Sequence, residues 1–397
     1  MRLGIYGGTF DPPHIGHTQS VAAAAKQLRL DRLIIIPTGT PPHKVLPGDS
    51  PDSRERLEMT RIAAHELGFA EVSDLEIFRP GKSYTVDTVH SIKEQYPDAD
   101  IFLLMGTDML LSFETWKDFI EIMRSVCLAV FARLYGEDRK IKLFSDYLVE
   151  RYDADVTMVY NDAIVEISSS VLRDLLPRRG GKEFICDEVY ASIIKNRYYD
   201  AKPDFDWLRE SAHRMLSPKR VPHVVGCEKE AVRLARRWDA DEDEAREAAI
   251  LHDITKKETL SEQLLLCEKY GIMTDALERE NSKLLHSKTG AEIAKRQFGV
   301  SDEVYRAIFW HTTGHEDMTL LEKIIYLADY IEPTRDFAGV DKLRRLAYED
   351  IDAALITGYR MSIEDLAAHG IVPHDRTLKA MKSLISVRQR ERKDTVK

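Results

Sequence analysis

The sequence predicts an α/β fold followed by an all-α one: a Rossmann-like parallel sheet with helices on both faces over residues 1–200, then an all-helical unit over residues 201–397. Three observations carry this. Up to about Tyr199, short apolar runs alternate with helical ones, the texture of a buried parallel sheet crossed by helices. After Ala201-Lys202-Pro203-Asp204, apolar positions recur almost without a break at helical period. The length of 397 residues is also generous for one core, since domains typically hold roughly 100 to 200 residues.

Taken in order, Arg2 to Tyr6 reads as a first strand cut off by Gly7-Gly8, Asp11-Pro12-Pro13 as an extended path, and the run from Ile15 as a helix of good helix formers. Further strands are expected at RLIIIPT (32–38), IFLLMG (101–106), VCLAVFA (126–132) and VTMVYN (156–161). The helical unit is read from KEAVRLARRWD, EAREAAILHDI and LLEKIIYLADYIE, and the basic end RQRERKDTVK as solvated.

Composition narrows the function. A net charge of -10 argues against a nucleic-acid partner held by a general basic surface. Cys127, Cys186, Cys227 and Cys267 are scattered without a C-x-x-C, which suits reduced thiols in a cytoplasm better than a disulfide framework or zinc knuckle. No apolar run approaches the roughly 20 residues of a membrane span, and a strand at the N-terminus leaves no room for a signal peptide.

The richest stretch is GGTFDPPHIGH, Gly7 to His17. Strand, glycine turn and helix in succession bring unpaired backbone N–H groups and the positive end of a helix dipole to the carboxyl end of a strand, a setting for phosphate. His14 and His17 fall on one side of the first helical turn, each able to donate to a phosphoryl oxygen. Neither a Walker loop nor a G-x-G-x-x-G fingerprint is present. SSSVLR (168–173) offers hydroxyls at a helix start, with Arg173 able to fork onto phosphate; alone it would read as an N-cap, Trp116 as core and Asp108 as a helix cap.

His14-Ile15-Gly16-His17 resembles the His-x-Gly-His of the nucleotidylyltransferase superfamily. PTGTPPHK (37–44), SYTVDT (83–88), GTDMLLSFETWK (106–117) and SSSVLR bring the first half close to the nicotinate-nucleotide adenylyltransferases. That resemblance implies transfer of AMP from ATP to nicotinate mononucleotide, with the acid preferred over the amide and Mg(II) accompanying ATP. It implies catalytic roles for His14, His17, Lys44 and Arg173, and nucleotide contacts from Gly7, Gly8, Thr9, Phe10, Thr85, Gly106, Asp108, Trp116, Ser169 and Ser170. One departure stands out: Arg133 is followed by Leu134-Tyr135-Gly136 where the family pattern has proline and glycine.

In the second half His252-Asp253 ends an apolar helix, with His223 upstream and His286, His311 and Asp329 beyond, each beside apolar helical sequence. Neutral imidazoles converging from separate helices, with an aspartate able to bridge two cations, suit a metal site. HDITK, LLHSKTGA, WHTTG and YLADYIEPTR resemble the HD superfamily, close to the symmetrical diadenosine-tetraphosphate hydrolases. The resemblance implies a two-metal centre of iron held by His223, His252, Asp253, His286, His311 and Asp329, catalysis by Asp253 and Lys256, and phosphate contact by Lys256 and Arg335. His315 reads as a substitute ligand or, better, as a solvent-facing residue. The partners implied are ATP, nicotinate mononucleotide and diadenosine tetraphosphate, with no nucleic acid and no membrane, in a chain able to form a homo-oligomer. The alternatives are a helical half acting on another nucleotide, or one sensing nucleotides without turnover.

Overall fold

The structure is a computed structural model that describes residues 1–42, 45–161 and 164–395. Lys44 lies outside them. The chain divides into two compact units, Met1–Lys202 and Pro203–Lys397.

The first unit holds six parallel strands: β1 (Arg2–Gly8), β2 (Arg32–Pro37), β3 (Ala70–Val72), β4 (Asp100–Gly106), β5 (Cys127–Phe131) and β6 (Val156–Val159), in the order β3-β2-β1-β4-β5-β6. Strand order reverses between β1 and β4, which is where an open α/β sheet forms its crevice. Both faces are covered. Leu3, Ile5, Leu103, Met105, Leu128 and Val130 pack into one core, while Tyr6, Leu33, Leu104, Ala129 and Phe131 point to the other, the period-2 alternation of strands buried twice.

Three details differ from the sequence expectation. β1 does not stop at the glycines, because Gly7 and Gly8 stay in register with Ile36 and Pro37 of β2. β3 is an unexpected strand of three residues at the sheet edge, pairing Ala70 to Val72 with Leu33 to Ile35. β6 ends at Val159, after which the Tyr160 amide donates to Gln27 Oε1 at 2.9 Å.

The helix Ile15–Leu28 follows β1 directly and ends where Arg29 turns left-handed at φ 50°. The helix Ser53–His65 carries Arg56, which is 1% exposed. Its guanidinium donates to the carbonyls of Thr9 at 2.6 Å, Thr38 at 2.8 Å and Gly39 at 3.0 Å, tying the segments that leave β1 and β2.

The second unit is helical. The helices Val221–Trp238, Glu242–Leu251, Ser282–Ile293, Asp302–Trp310 and Leu320–Ile331 surround a core of Ala231, Leu234, Ala248, Leu251, Ile308, Ile324 and Leu327. Caps set several starts: Asp241 Oδ1 accepts from the Asp243 and Glu244 amides, and Thr319 Oγ1 from the Glu322 amide. Among the described residues no helix is long and apolar enough to cross a membrane.

Arg56→Met would strand three carbonyls that now share one buried guanidinium. It is expected to destabilise the first unit by about 2–4 kcal/mol, read as a lower urea midpoint for that unit in the full chain. An unchanged midpoint would show that the tie contributes nothing.

Candidate active sites

At the carboxyl ends of the strands a cleft of about 560 Å³ opens, a size that suits a nucleotide-sized ligand. Gly7, Gly8, Thr9 and Phe10 form part of its wall, with His14, His17, Thr85, Asp108, Trp116, Ser169 and Ser170. Gly8 is needed for space: a Cβ there would come within 2.9 Å of the Phe10 ring, which packs edge-on against His17 with centroids 5.1 Å apart.

The two histidines are stacked, ring centroids 3.6 Å apart. Burial, reinforced by Arg133, pushes His14 down to about 3. Burial, then His14 and Arg133, holds His17 well below the ordinary imidazole range. Both rings are therefore neutral at pH 7. The His14 amide donates to His17 Nδ1 at 3.2 Å, so the proton of the neutral His17 ring resides on Nε2. A backbone hydrogen bond at the helix start has made this imidazole a donor.

Gly106 and Arg173 do not line the cleft. Gly106 instead makes room for Arg133, whose Nε would lie 2.3 Å from a Cβ at that position. Arg173 donates from Nη1 to the Asp11 carbonyl at 2.6 Å and from Nη2 to Ser170 at 3.3 Å. Asp11, fully buried, also accepts from Tyr199 at 2.8 Å and Ser50 at 2.9 Å, so Arg173 braces the segment before His14. Sequence reasoning assigned no role to Arg133, which lines the cleft and pairs with Asp108 at 3.2 Å. The turn after it is held without the family's proline: Glu137 Oε2 accepts from the Arg133 and Leu134 amides at 3.0 and 3.1 Å and from Thr107 at 2.7 Å.

In the second unit the six expected metal-site residues converge. His223 comes from the first turn of Val221–Trp238, His252 and Asp253 from just beyond Glu242–Leu251, and His286 from the middle of Ser282–Ile293. His311 caps the C-terminus of Asp302–Trp310, and Asp329 closes Leu320–Ile331. Asp253 is at the centre. Its Oδ2 lies 3.4 Å from His252 Nε2 and 3.8 Å from His223 Nε2, while its Oδ1 lies 3.1 Å from His286 Nε2 and 3.8 Å from His311 Nε2. Asp329 Oδ1 adds to the first group, 3.0 Å from His223 Nε2.

Proton placement again decides the chemistry. His252 Nδ1 is 2.8 Å from the Ala249 carbonyl and His311 Nδ1 2.7 Å from the Ile308 carbonyl, so each Nδ1–H donates outward and each Nε2 points inward; burial lowers His311, whose Nε2 keeps a lone pair, whereas against burial the Asp253 carboxylate raises His252. His223 Nδ1 is held at 2.9 Å by the buried carboxylate of Glu332. Asp253 Oδ1 is buried and makes no hydrogen bond, although a ring nitrogen is 3.1 Å away. Lone pairs facing a carboxylate oxygen are what a cation would reconcile, so the residues fit a metal centre.

Lys256 approaches His286 Nε2 at 3.0 Å and Asp253 Oδ1 at 3.7 Å, and Arg335 pairs with Asp329 at 2.7 Å. His315 is neither ligand nor solvent-facing: its Nε2 is 2.8 Å from the buried carboxylate of Glu322, and its ring packs against Trp310. A second grouping, Asp275, Glu278 and His374, is already neutralised, since Lys288 and Arg376 pair with Glu278 at 2.8 and 2.5 Å. Arg220 lies outside the quoted motifs, and Glu332, inside YLADYIEPTR, was given no role there.

The chain matches the family model Cytidylyltransferase-like over residues 5–175 and the model HD domain over residues 220–334. It is 31% identical over 199 residues to a probable nicotinate-nucleotide adenylyltransferase of Clostridium tetani, covering 50% of this chain and 98% of that one. It is 45% identical over 147 residues to a symmetrical bis(5'-nucleosyl)-tetraphosphatase of Bacillus subtilis, 36% of this chain and 77% of that one. Across 366 residues it is 29% identical to a probable nicotinate-nucleotide adenylyltransferase/Ap4A hydrolase of Mycoplasma genitalium, 90% of this chain and 96% of that one. It spans 63% and 61% of the length of two further curated adenylyltransferase relatives.

Glu332→Ala removes the carboxylate that orients His223. Manganese affinity of the full chain is expected to fall about 10- to 100-fold in a calorimetric titration, and an unchanged affinity would show that Glu332 does not hold the ligand.

Proposed function

The chain belongs to the nicotinate-nucleotide adenylyltransferases in its first half and to the HD family in its second, and from that premise we propose that it is a bifunctional enzyme. Its first unit transfers AMP from ATP to nicotinate mononucleotide, giving nicotinate adenine dinucleotide and pyrophosphate. Its second hydrolyses diadenosine tetraphosphate symmetrically to two ADP.

In the first reaction an oxygen of the mononucleotide phosphate forms a bond to the α-phosphorus of ATP. The bond from that phosphorus to the bridging oxygen breaks, and pyrophosphate leaves with the electron pair. The attacking phosphate is already an anion, so no protein nucleophile is required, and positioning with charge neutralisation suffices. ATP enters as its Mg(II) complex. The carrying observation is the neutral His17 with its proton on Nε2, a fixed donor on the wall of a cleft floored by Gly7 and Gly8. Arg133 supplies positive charge beside it, and Ser169 and Ser170 offer hydroxyls to phosphate. Lys44 is assigned to phosphate by resemblance alone. Arg173 acts through Asp11 and Ser170.

For the second reaction the carrying observation is Asp253, whose two oxygens face separate sets of histidine nitrogens. His223, His252, Asp253, His286, His311 and Asp329 would hold the metal ions; a nitrogen and carboxylate set of this kind suits iron. The metals, when bound, neutralise phosphoryl charge and make water a nucleophile at neutral pH. Lys256 and Arg335 hold the phosphate chain in register, and Glu332 and the two backbone carbonyls keep the imidazoles aimed. All four cysteines are free thiols, which supports a cytoplasmic setting.

The purified chain is expected to form nicotinate adenine dinucleotide and pyrophosphate from nicotinate mononucleotide, ATP and Mg(II), and ADP alone from diadenosine tetraphosphate with iron or manganese. His17→Ala should cost the first activity about 10²–10³-fold and spare the second. Asp253→Ala should remove both metal retention and hydrolysis and spare the first. ATP plus AMP from the tetraphosphate, or faster turnover of the nicotinamide form, would contradict the reading.

A further inference from the structure

Asp253 Oδ2 and Asp329 Oδ1 face His223 and His252, and they share one more neighbour. Arg220, three residues ahead of His223, donates from Nε to Asp253 Oδ2 and brings Nη2 to 3.8 Å from Asp329 Oδ1. Lys256 reaches Asp253 through the other oxygen, and Arg335 pairs with Asp329 and Glu332. Among the described residues Arg220 is thus the cation that spans both carboxylates.

Two carboxylates this deep need compensating positive charge, because removing ions from water is costly unless they are paired. A divalent ion held by His223, His252 and Asp329 would deliver its charge to the same oxygens. Guanidinium and metal therefore compete. A guanidinium also forks onto phosphate as readily as onto carboxylate, so an arginine displaced from one has a use for the other.

We propose that Arg220 neutralises Asp253 and Asp329 in the metal-free chain, yields Asp253 Oδ2 when a divalent cation binds, and then clamps a phosphate of the substrate. This rests on the metal-centre reading of the second unit. The consequence runs opposite to what loss of an ordinary supporting residue would do: without Arg220 the metal has no competitor and binds more tightly.

The test uses the full chain stripped with chelator and titrated with Mn(II), wild type against Arg220→Gln. The variant is expected to bind manganese at least about tenfold more tightly, since one charge-assisted hydrogen bond no longer has to be broken. Metal-free, it should melt below wild type, with the gap closing at saturating manganese. At saturating manganese its KM for diadenosine tetraphosphate should rise about tenfold, with kcat moving less. Equal or weaker manganese binding by Arg220→Gln overturns the competition, and an unchanged KM overturns the phosphate clamp. Arg220→Lys keeps the charge but loses the fork, so its affinity should fall between the two; affinity no tighter than wild type overturns the proposal even if the glutamine variant fails to fold. A wild-type chain that takes up no manganese overturns the metal centre itself, and this proposal with it.

Discussion

Both sites depend on one constraint: the hydrogen bond that the backbone makes to Nδ1 of His17, His252 and His311. In the first unit a backbone amide donates to His17 Nδ1, which puts the proton on Nε2 and makes the ring a phosphate donor. In the second, backbone carbonyls accept from Nδ1 of His252 and His311, which aims Nε2 of each at the proposed metal centre. The same side chain serves two chemistries because the backbone around it differs. Burial strengthens the effect, since a neutral ring stays in the tautomer its partner selects.

Helix ends supply those backbone groups. The His14 amide lies at the start of Ile15–Leu28, where N–H groups have no intrahelical partner, and it points to a ring nitrogen. Ala249 and Ile308 lie in the last turns of their helices, and their carbonyls face the Nδ1–H groups of His252 and His311. Helix ends thus set the aim of three of these rings, His17 at a start and His252 and His311 at ends. Charge is then added from a distance, by Arg133 in the first site and by Arg220, Lys256 and Arg335 in the second.

What was legible in the sequence follows from separation along the chain. GGTFDPPHIGH could be read because strand, turn and helix start are contiguous, and the long apolar strands because alternation against helical texture is a local signal. The strand Ala70–Val72 was not, since three residues with a glutamate between carry no pattern. The partners were hardest. Arg133 meets Asp108 across 25 residues, Arg220 meets Asp253 across 33, and Glu332 meets His223 across 109. Arg173 has the right chemistry for phosphate, yet Asp11, 162 residues earlier, claims its guanidinium. A motif names the residue types a site needs; which of them faces the ligand is decided by packing the motif does not contain.

The most direct test is a long-range proton–nitrogen correlation spectrum of the full chain labelled with nitrogen-15 at histidine, assigned by single substitutions. The structure predicts that His17 carries its proton on Nε2, with Nδ1 bare, and that His252 and His311 each carry a proton on Nδ1. A His17 ring protonated on Nδ1, or a His252 or His311 ring bare at Nδ1, would contradict the account at its centre.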